Sequence, residues 1–296
     1  MTKTPVFKGS CTAIVTPFAE HGIDYERLLQ QLDRQYEGGT AAIVVCGTTG
    51  ENATLSIDEH NELVRRTVNA CRGRMKTIVG VGGNDTRAVL RKAENARAIG
   101  ADAILMTTPY YNKTSQKGLV EHFSYVADRV DLPMILYNVP SRTGISIHAD
   151  TYHELSKHPN INGVKEASGD FSLIARTRSL CGDDLFLWSG NDDNTIPMMA
   201  LGALGVISVA SNLVPSAVSE LCSLCLEGEY RDATTLYSRY AALFSTLFIE
   251  TNPMPVKAAM RLAGLDSGIV RLPLTQISED HLEQLRRVMQ ELDLTT

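Results

Sequence analysis

Short apolar runs recur along this chain, each followed by a stretch of helical character, and that rhythm is its strongest constraint. The runs are Cys11–Thr16, Ala41–Cys46, Thr77–Val81, Ala103–Met106, Met134–Tyr137, Ile161–Lys165, Leu185–Trp188 and Gly205–Val209. A continuously apolar run such as Ala41–Cys46 suits a strand buried on both faces, which is the habit of parallel sheets covered by helices. Helix signals fall between the runs. Asp24 caps a stretch through Tyr36 that Gly38-Gly39 closes, and Ser56 with Glu59 three residues on forms a capping-box pattern. Arg87–Ile99 and Leu119–Val130 are further helical segments. Eight strand–helix units in a chain of 296 residues argue for a closed (β/α)8 TIM barrel over an open sheet. Beyond Pro215 the strands stop, and Ser216–Leu226, Tyr230–Ile249, Pro255–Leu262 and Glu279–Leu292 all read as helices. That is more helix than an eighth unit needs. The expectation is therefore an α/β barrel over residues 1–226, with a small C-terminal helical appendage over residues 227–296 packed on it.

Several functional classes drop out. The net charge is −6, from 28 basic and 34 acidic residues, and no Lys/Arg block stands out, which disfavours nucleic acid and anionic membrane as partners. Met1–Pro17 has no secretory-signal layout, and the apolar run Met198–Ile207 is broken by glycine and shorter than the roughly 20 residues a bilayer span needs. A cytoplasmic location is expected. The six scattered cysteines fit reduced thiols, and Cys222 and Cys225 share a leucine-rich helical pattern without a second pair to make a zinc site. Gly80-Val81-Gly82-Gly83 lacks the third glycine of a dinucleotide fingerprint, and there is no Walker A run. No HExxH occurs, and His148, His153 and His158 are spaced by five, which scatters them around a helix as surface groups. A metal site is not expected, and these nucleotide-cofactor motifs are absent. Gly-x-Ser-x-Gly is missing too.

In (β/α)8 barrels the chemistry gathers at the C-terminal ends of the strands. Strand residues alternate faces, so Val164 points one way while Gly163 and Lys165 point the other. With Val164 against the helices, Lys165 enters the barrel. An amine in desolvated surroundings favours its neutral form, which attacks carbonyls to give Schiff bases. The other reading is a strand-end lysine reaching up to water. Tyr137 shares a face with Ile135 one strand away, either as a proton shuttle beside the amine or as a core tyrosine. Gly47-Thr48-Thr49-Gly50-Glu51 follows the second strand. Its glycines and hydroxyls suit a carboxylate or phosphate, and equally an ordinary turn. Arg142 lies in the loop after the fifth strand, where a guanidinium grips a carboxylate in bidentate fashion or simply stays solvated. Ser189-Gly190-Asn191-Asp192 and Ser208–Asn212 are small or polar rim segments that leave room for a ligand.

Five segments together resemble one family: Gly47–Glu51, Pro109-Tyr110-Tyr111-Asn112-Lys113, Tyr137-Asn138-Val139-Pro140, Gly163–Ser168 and Asn252-Pro253-Met254-Pro255-Val256-Lys257. In order and at this spacing they are similar to the dihydrodipicolinate synthases, among the pyruvate-dependent class I aldolases that include N-acetylneuraminate lyase. The likeness runs over essentially the whole chain. It implies that Lys165 forms a Schiff base with pyruvate while Thr48 and Thr49 hold the keto acid's carboxylate. Tyr137, Thr49 and Tyr111 match the family's proton relay, with Tyr111 reaching in from a neighbouring subunit. Arg142 matches the arginine that receives the carboxylate of L-aspartate 4-semialdehyde, and Ile207 would offer its backbone carbonyl near the lysine. The implied partners are these two substrates and further copies of the chain, a dimer at minimum and a dimer of dimers as the expected form. Val139-Pro140-Ser141-Arg142 favours a compact amino-acid aldehyde over the long sugar of a sialic-acid lyase.

Many members of the family are inhibited by L-lysine bound between two subunits. Ala53, His60, Asn84 and Tyr110 correspond to parts of that site. Ile57 stands where a histidine is expected, Ala88 where a glutamate is expected, and Asn52 where a serine is common. The resemblance thus implies a vestigial effector site.

Overall fold

The computed structural model describes residues 3–295, so Met1, Thr2 and Thr296, at the outer ends of the two expected segments, lie outside it. The strands are β1 (Gly9–Ala13), β2 (Phe18–Ala19), β3 (Gly22–Ile23), β4 (Ala42–Val45), β5 (Lys76–Gly80), β6 (Ala103–Thr107), β7 (Met134–Asn138), β8 (Ile161–Glu166), β9 (Phe186–Ser189) and β10 (Gly205–Ser208). β2 and β3 form a small antiparallel ribbon outside the barrel. The other eight are all parallel and close on themselves in the order β1-β10-β9-β8-β7-β6-β5-β4. With every strand parallel, all eight C-terminal ends open at one mouth.

Local sequence explains the helices. In α1 (Tyr25–Glu37) the Asp24 side chain accepts from the Arg27 N–H, and in α2 (Ile57–Cys71) Ser56 and Glu59 form the full reciprocal capping box. α3 (Thr86–Ile99), α4 (Gln116–Ala127), the short α5 (Pro140–Thr143), α6 (Ala149–Leu155), α7 (Phe171–Cys181), α8 (Thr195–Ala200) and α9 (Pro215–Glu227) continue around the barrel. Three more follow, α10 (Tyr230–Thr246), α11 (Met254–Leu262) and α12 (Glu279–Glu291). None of the helices among the described residues is long and apolar enough to cross a membrane.

The alternation of strand side chains produces two cores. Val45, Val79, Met106, Leu136 and Val164 join the layer between strands and helices. Cys11, Val44, Ile135, Tyr137, Trp188 and Ile207 belong to a separate cluster inside the barrel. Phe7, just ahead of β1, stacks on Trp188 with ring centroids 4.9 Å apart. The strand expected over Cys11–Thr16 occupies Gly9–Ala13 instead. Beyond Ala13 the chain leaves the ladder for side-chain partners: the Val15 N–H donates to Asn212 Oδ1 at 3.1 Å, and the Thr16 hydroxyl donates to the Gly50 carbonyl at 2.7 Å. Cys222 and Cys225 are free, buried thiols on α9.

Candidate active site

Parallel register sets Lys165 opposite Tyr137 on one side and Trp188 on the other. Lys165 is only 4% exposed, and its Nζ lies over the Tyr137 ring, 4.4 Å from the centroid. No hydrogen bond or ion pair reaches that Nζ from the described residues. Two glycines make the space. A Cβ on Gly163 would lie 2.6 Å from Trp188 Cζ3, and one on Gly190 would lie 3.2 Å from Lys165 Cε. The indole therefore fills what Gly163 leaves open, and Gly190 lets the lysine stem pass.

Behind this pair a second register match acts from outside the barrel. Asn138 faces Glu166, one residue beyond Tyr137 and Lys165. Asn138 Nδ2 donates to both Glu166 oxygens at 3.1 Å, the Tyr152 hydroxyl donates to Oε2 at 2.8 Å, and the Ser168 N–H donates to Oε1 at 2.8 Å. Burial pushes the Glu166 carboxyl up in pKa, and these donors oppose the shift. Such a satisfied buried network pins the ends of β7 and β8 where Tyr137 and Lys165 sit. Asp192 is a second buried carboxylate. Its Oδ2 accepts from the Val209 and Ala210 N–H groups at 3.1 and 3.0 Å, while its Oδ1 has no partner among the described residues. Burial raises the pKa of Asp192, and the charge of Lys165 is among the influences that lower it.

Tyr137, whose ring lies against Lys165, also lines a cavity of about 290 Å³ together with Thr48, Arg142, Asn252 and Pro273. Thr49 is buried at 2% exposure, and its hydroxyl accepts from Asn252 Nδ2 at 2.9 Å. Arg142 is exposed at the rim, where its Nη2 donates to the Asn252 carbonyl at 3.1 Å. Ile207 is fully buried on β10. Tyr111 takes no part in its own chain's cavity. It is 93% exposed, on a residue with a left-handed φ of 69°.

Of the residues matched to an effector site, Asn52, Ala53 and Tyr110 also line the cavity. Ile57 is 49% exposed, and Asn84 and Ala88 are half-buried. His60 is turned inward with its Nε2 3.2 Å from the Gly80 carbonyl, and burial lowers its pKa.

The sequence reading drew its mechanistic residues from the barrel's strands and loops and missed the hold exerted by the C-terminal segment. Asn252 anchors Thr49 and Arg142. Lys257, on α11, buries its ammonium among Thr16 O at 2.8 Å, Ile269 O at 2.5 Å and Glu51 Oε1 at 2.8 Å. Glu51 Oε2 in turn accepts from the Arg271 N–H at 3.0 Å. The signal was present in Asn252–Lys257, a polar residue and a lysine framing two prolines.

A closed parallel barrel with a buried lysine beside a tyrosine, next to a cavity lined by hydroxyls and an arginine, is the architecture of a barrel enzyme. The chain belongs to the dihydrodipicolinate synthetase family, whose model matches residues 6–292. It is 47% identical over 291 residues to the 4-hydroxy-tetrahydrodipicolinate synthase of Thermoanaerobacter sp. (strain X514), covering 98% of each chain. Its fold is similar to dihydrodipicolinate synthase from Aquifex aeolicus, with TM-score 0.96 and 43% identity over 98% of this chain and 99% of that one. It is also similar to the enzyme from Cyanidioschyzon merolae with lysine bound, with TM-score 0.95 and 39% identity over 98% of this chain and 100% of that one.

Proposed function

We propose that this chain condenses pyruvate with L-aspartate 4-semialdehyde to 4-hydroxy-tetrahydrodipicolinate, in diaminopimelate and lysine biosynthesis, through a Schiff base on Lys165. The observation that carries the reading is a lysine buried to 4% exposure, with no hydrogen-bond partner among the described residues, held against a tyrosine ring on the inner wall. The neutral amine attacks C2 of pyruvate, and water leaves as the imine forms. The protonated imine accepts electrons from C3, which loses a proton and becomes an enamine. That carbon bonds to the aldehyde carbon of the second substrate, whose oxygen takes up a proton. The substrate's own amine then displaces Lys165 at C2, closing the ring and freeing the enzyme.

Tyr137, with Thr49 and a partner's Tyr111, relays protons in these steps. Thr48 and Thr49 receive the pyruvate carboxylate, Ile207 offers its carbonyl near the lysine, and Arg142 receives the semialdehyde carboxylate. The test is a coupled assay with both substrates, run beside borohydride reduction with pyruvate and mass spectrometry. An unmodified chain after reduction, or no turnover of the pair, would refute the reading.

We infer a homo-oligomer, a dimer of dimers, in the cytoplasm. Tyr111 supports it, since a tyrosine 93% exposed beside its own cavity is available to complete a neighbour's. Light scattering that found a fully active monomer would overturn this inference.

Feedback by L-lysine should be weak or absent. Alanine at position 88 offers neither charge nor acceptor to an effector ammonium, and leaving that group unpaired costs several kcal/mol. A loss of about 2.8 kcal/mol already weakens binding roughly a hundredfold. The check is a lysine titration at fixed substrates, with Ala88→Glu/Ile57→His alongside, and half-inhibition of the native enzyme at submillimolar lysine would contradict it.

A further inference from the structure

Asn252 stands between the two halves of the proposed site. Its side-chain Nδ2 donates to Thr49 Oγ1 at 2.9 Å, and its backbone carbonyl accepts from Arg142 Nη2 at 3.1 Å. The residue is 5% exposed, and its Oδ1 is buried without a partner. The bond to Thr49 is thus the only one its amide makes among the described residues.

The direction of that bond has a chemical consequence. An amide NH2 only donates, whereas a threonine hydroxyl carries one proton and two acceptor lone pairs. With a lone pair of Oγ1 occupied by Asn252, the hydroxyl proton of Thr49 points to some other acceptor. A relay needs this polarity, because each member must pass its proton onward while accepting the next. The turn that carries Thr49 is held firmly enough to keep it. Glu51, two residues on, is tied to Lys257 Nζ at 2.8 Å and to the Arg271 N–H at 3.0 Å.

We propose that Asn252 is a positioning residue that sets the direction of proton transfer through Thr49 with its side chain and holds Arg142 with its carbonyl. The inference rests on the reading of Lys165, Thr49 and Arg142 given above, and it adds a residue from outside the barrel strands. The two roles are separable, because every substitution of the side chain leaves the carbonyl in place.

The test uses Asn252→Asp, which is nearly isosteric but accepts where the amide donates. The carboxylate captures the Thr49 proton and reverses the polarity of the relay. The expected result is a kcat lower by about 100-fold, within the range of a lost acid–base contribution. The solvent deuterium isotope effect on kcat should grow. The semialdehyde KM should stay within about threefold, because uniform binding through Arg142 is untouched. Pyruvate should still be trapped by borohydride, as in the native enzyme. In a Thr49→Val background the same substitution should cost little further kcat, since the group it acts through is gone. Asn252→Ala, which leaves the hydroxyl free to rotate, should fall between native and Asn252→Asp, and it carries the same cycle if the acidic variant does not fold.

An unchanged kcat in Asn252→Asp, or an equal loss with and without the Thr49 hydroxyl, overturns the proposal. A native enzyme that is never trapped by borohydride instead refutes the Lys165 reading beneath it, so the two failures are distinguishable.

Discussion

Lys165 and Lys257 are both buried lysines lying over an aromatic ring, and almost everything else about them differs. Lys257 is 0% exposed, with its Nζ 4.3 Å from the Phe18 centroid, and Lys165 is 4% exposed and 4.4 Å from that of Tyr137. Around Lys257 three oxygens take up the three ammonium donors, one of them the Glu51 carboxylate. Burial pushes the Lys257 pKa down, while Glu51 and Asp266 oppose that shift. Around Lys165 no donor finds a partner among the described residues. Burial alone therefore does not set the two lysines apart. The difference is hydrogen-bond saturation, because three oxygens enclose the Lys257 nitrogen and block its approach, whereas none of the described residues does so at Lys165.

The same contrast explains what each lysine holds. Lys257 and Glu51 join α11 to the turn that carries Thr48 and Thr49, so this pair holds that turn in place. Buried pairs of this kind cost desolvation and give little net stability, yet losing one partner strands the other. Lys165 makes no hydrogen bond or ion pair among the described residues, so removing it breaks none there.

The largest test of this contrast is Lys165→Ala. Turnover should fall by at least about 10⁴-fold, the order found when a covalent nucleophile is removed. Borohydride trapping should vanish, while the urea midpoint stays near the native value. Near-native turnover would break the comparison outright. Next in size is Lys257→Met, which should destabilise the fold by about 3–5 kcal/mol because Glu51 is left buried and unpaired. Lys257→Met/Glu51→Leu should recover most of that loss, and whatever folds should still trap pyruvate. Equilibrium urea unfolding measures both, and a single variant as stable as the native chain would show that Lys257 is not structural. The smallest effect sharpens the comparison at the rings. Tyr137→Phe keeps the aromatic face over Lys165 and removes only the phenol, making the ring resemble Phe18 beneath Lys257. Trapping should persist while turnover slows by roughly 10²-fold or more, as for a lost proton-transfer group. Unchanged turnover would reduce Tyr137 to packing.

Much of the architecture was legible in the chain itself, because local rules dictate it. Period-two alternation sends Tyr137 and Lys165 inward with Ile135, and Val164 outward to the helices, as the two separate cores show. The capping box at Ser56 and Glu59 marks a helix start that needs no tertiary information. Eight strand–helix repeats leave few alternatives to a closed barrel, and the family motifs identify the candidate lysine, tyrosine, threonines and arginine. Tertiary structure alone decided which polar groups are satisfied. Thr49 and Asn252 are 203 positions apart, and Glu51 and Lys257 are 206 apart, so no local pattern reports that they meet. The two lysines have the same side chain and lie equally deep. Whether oxygens surround the ammonium depends on where distant loops return, and only the closed fold brings Thr16, Glu51 and Ile269 to one lysine and leaves the other bare.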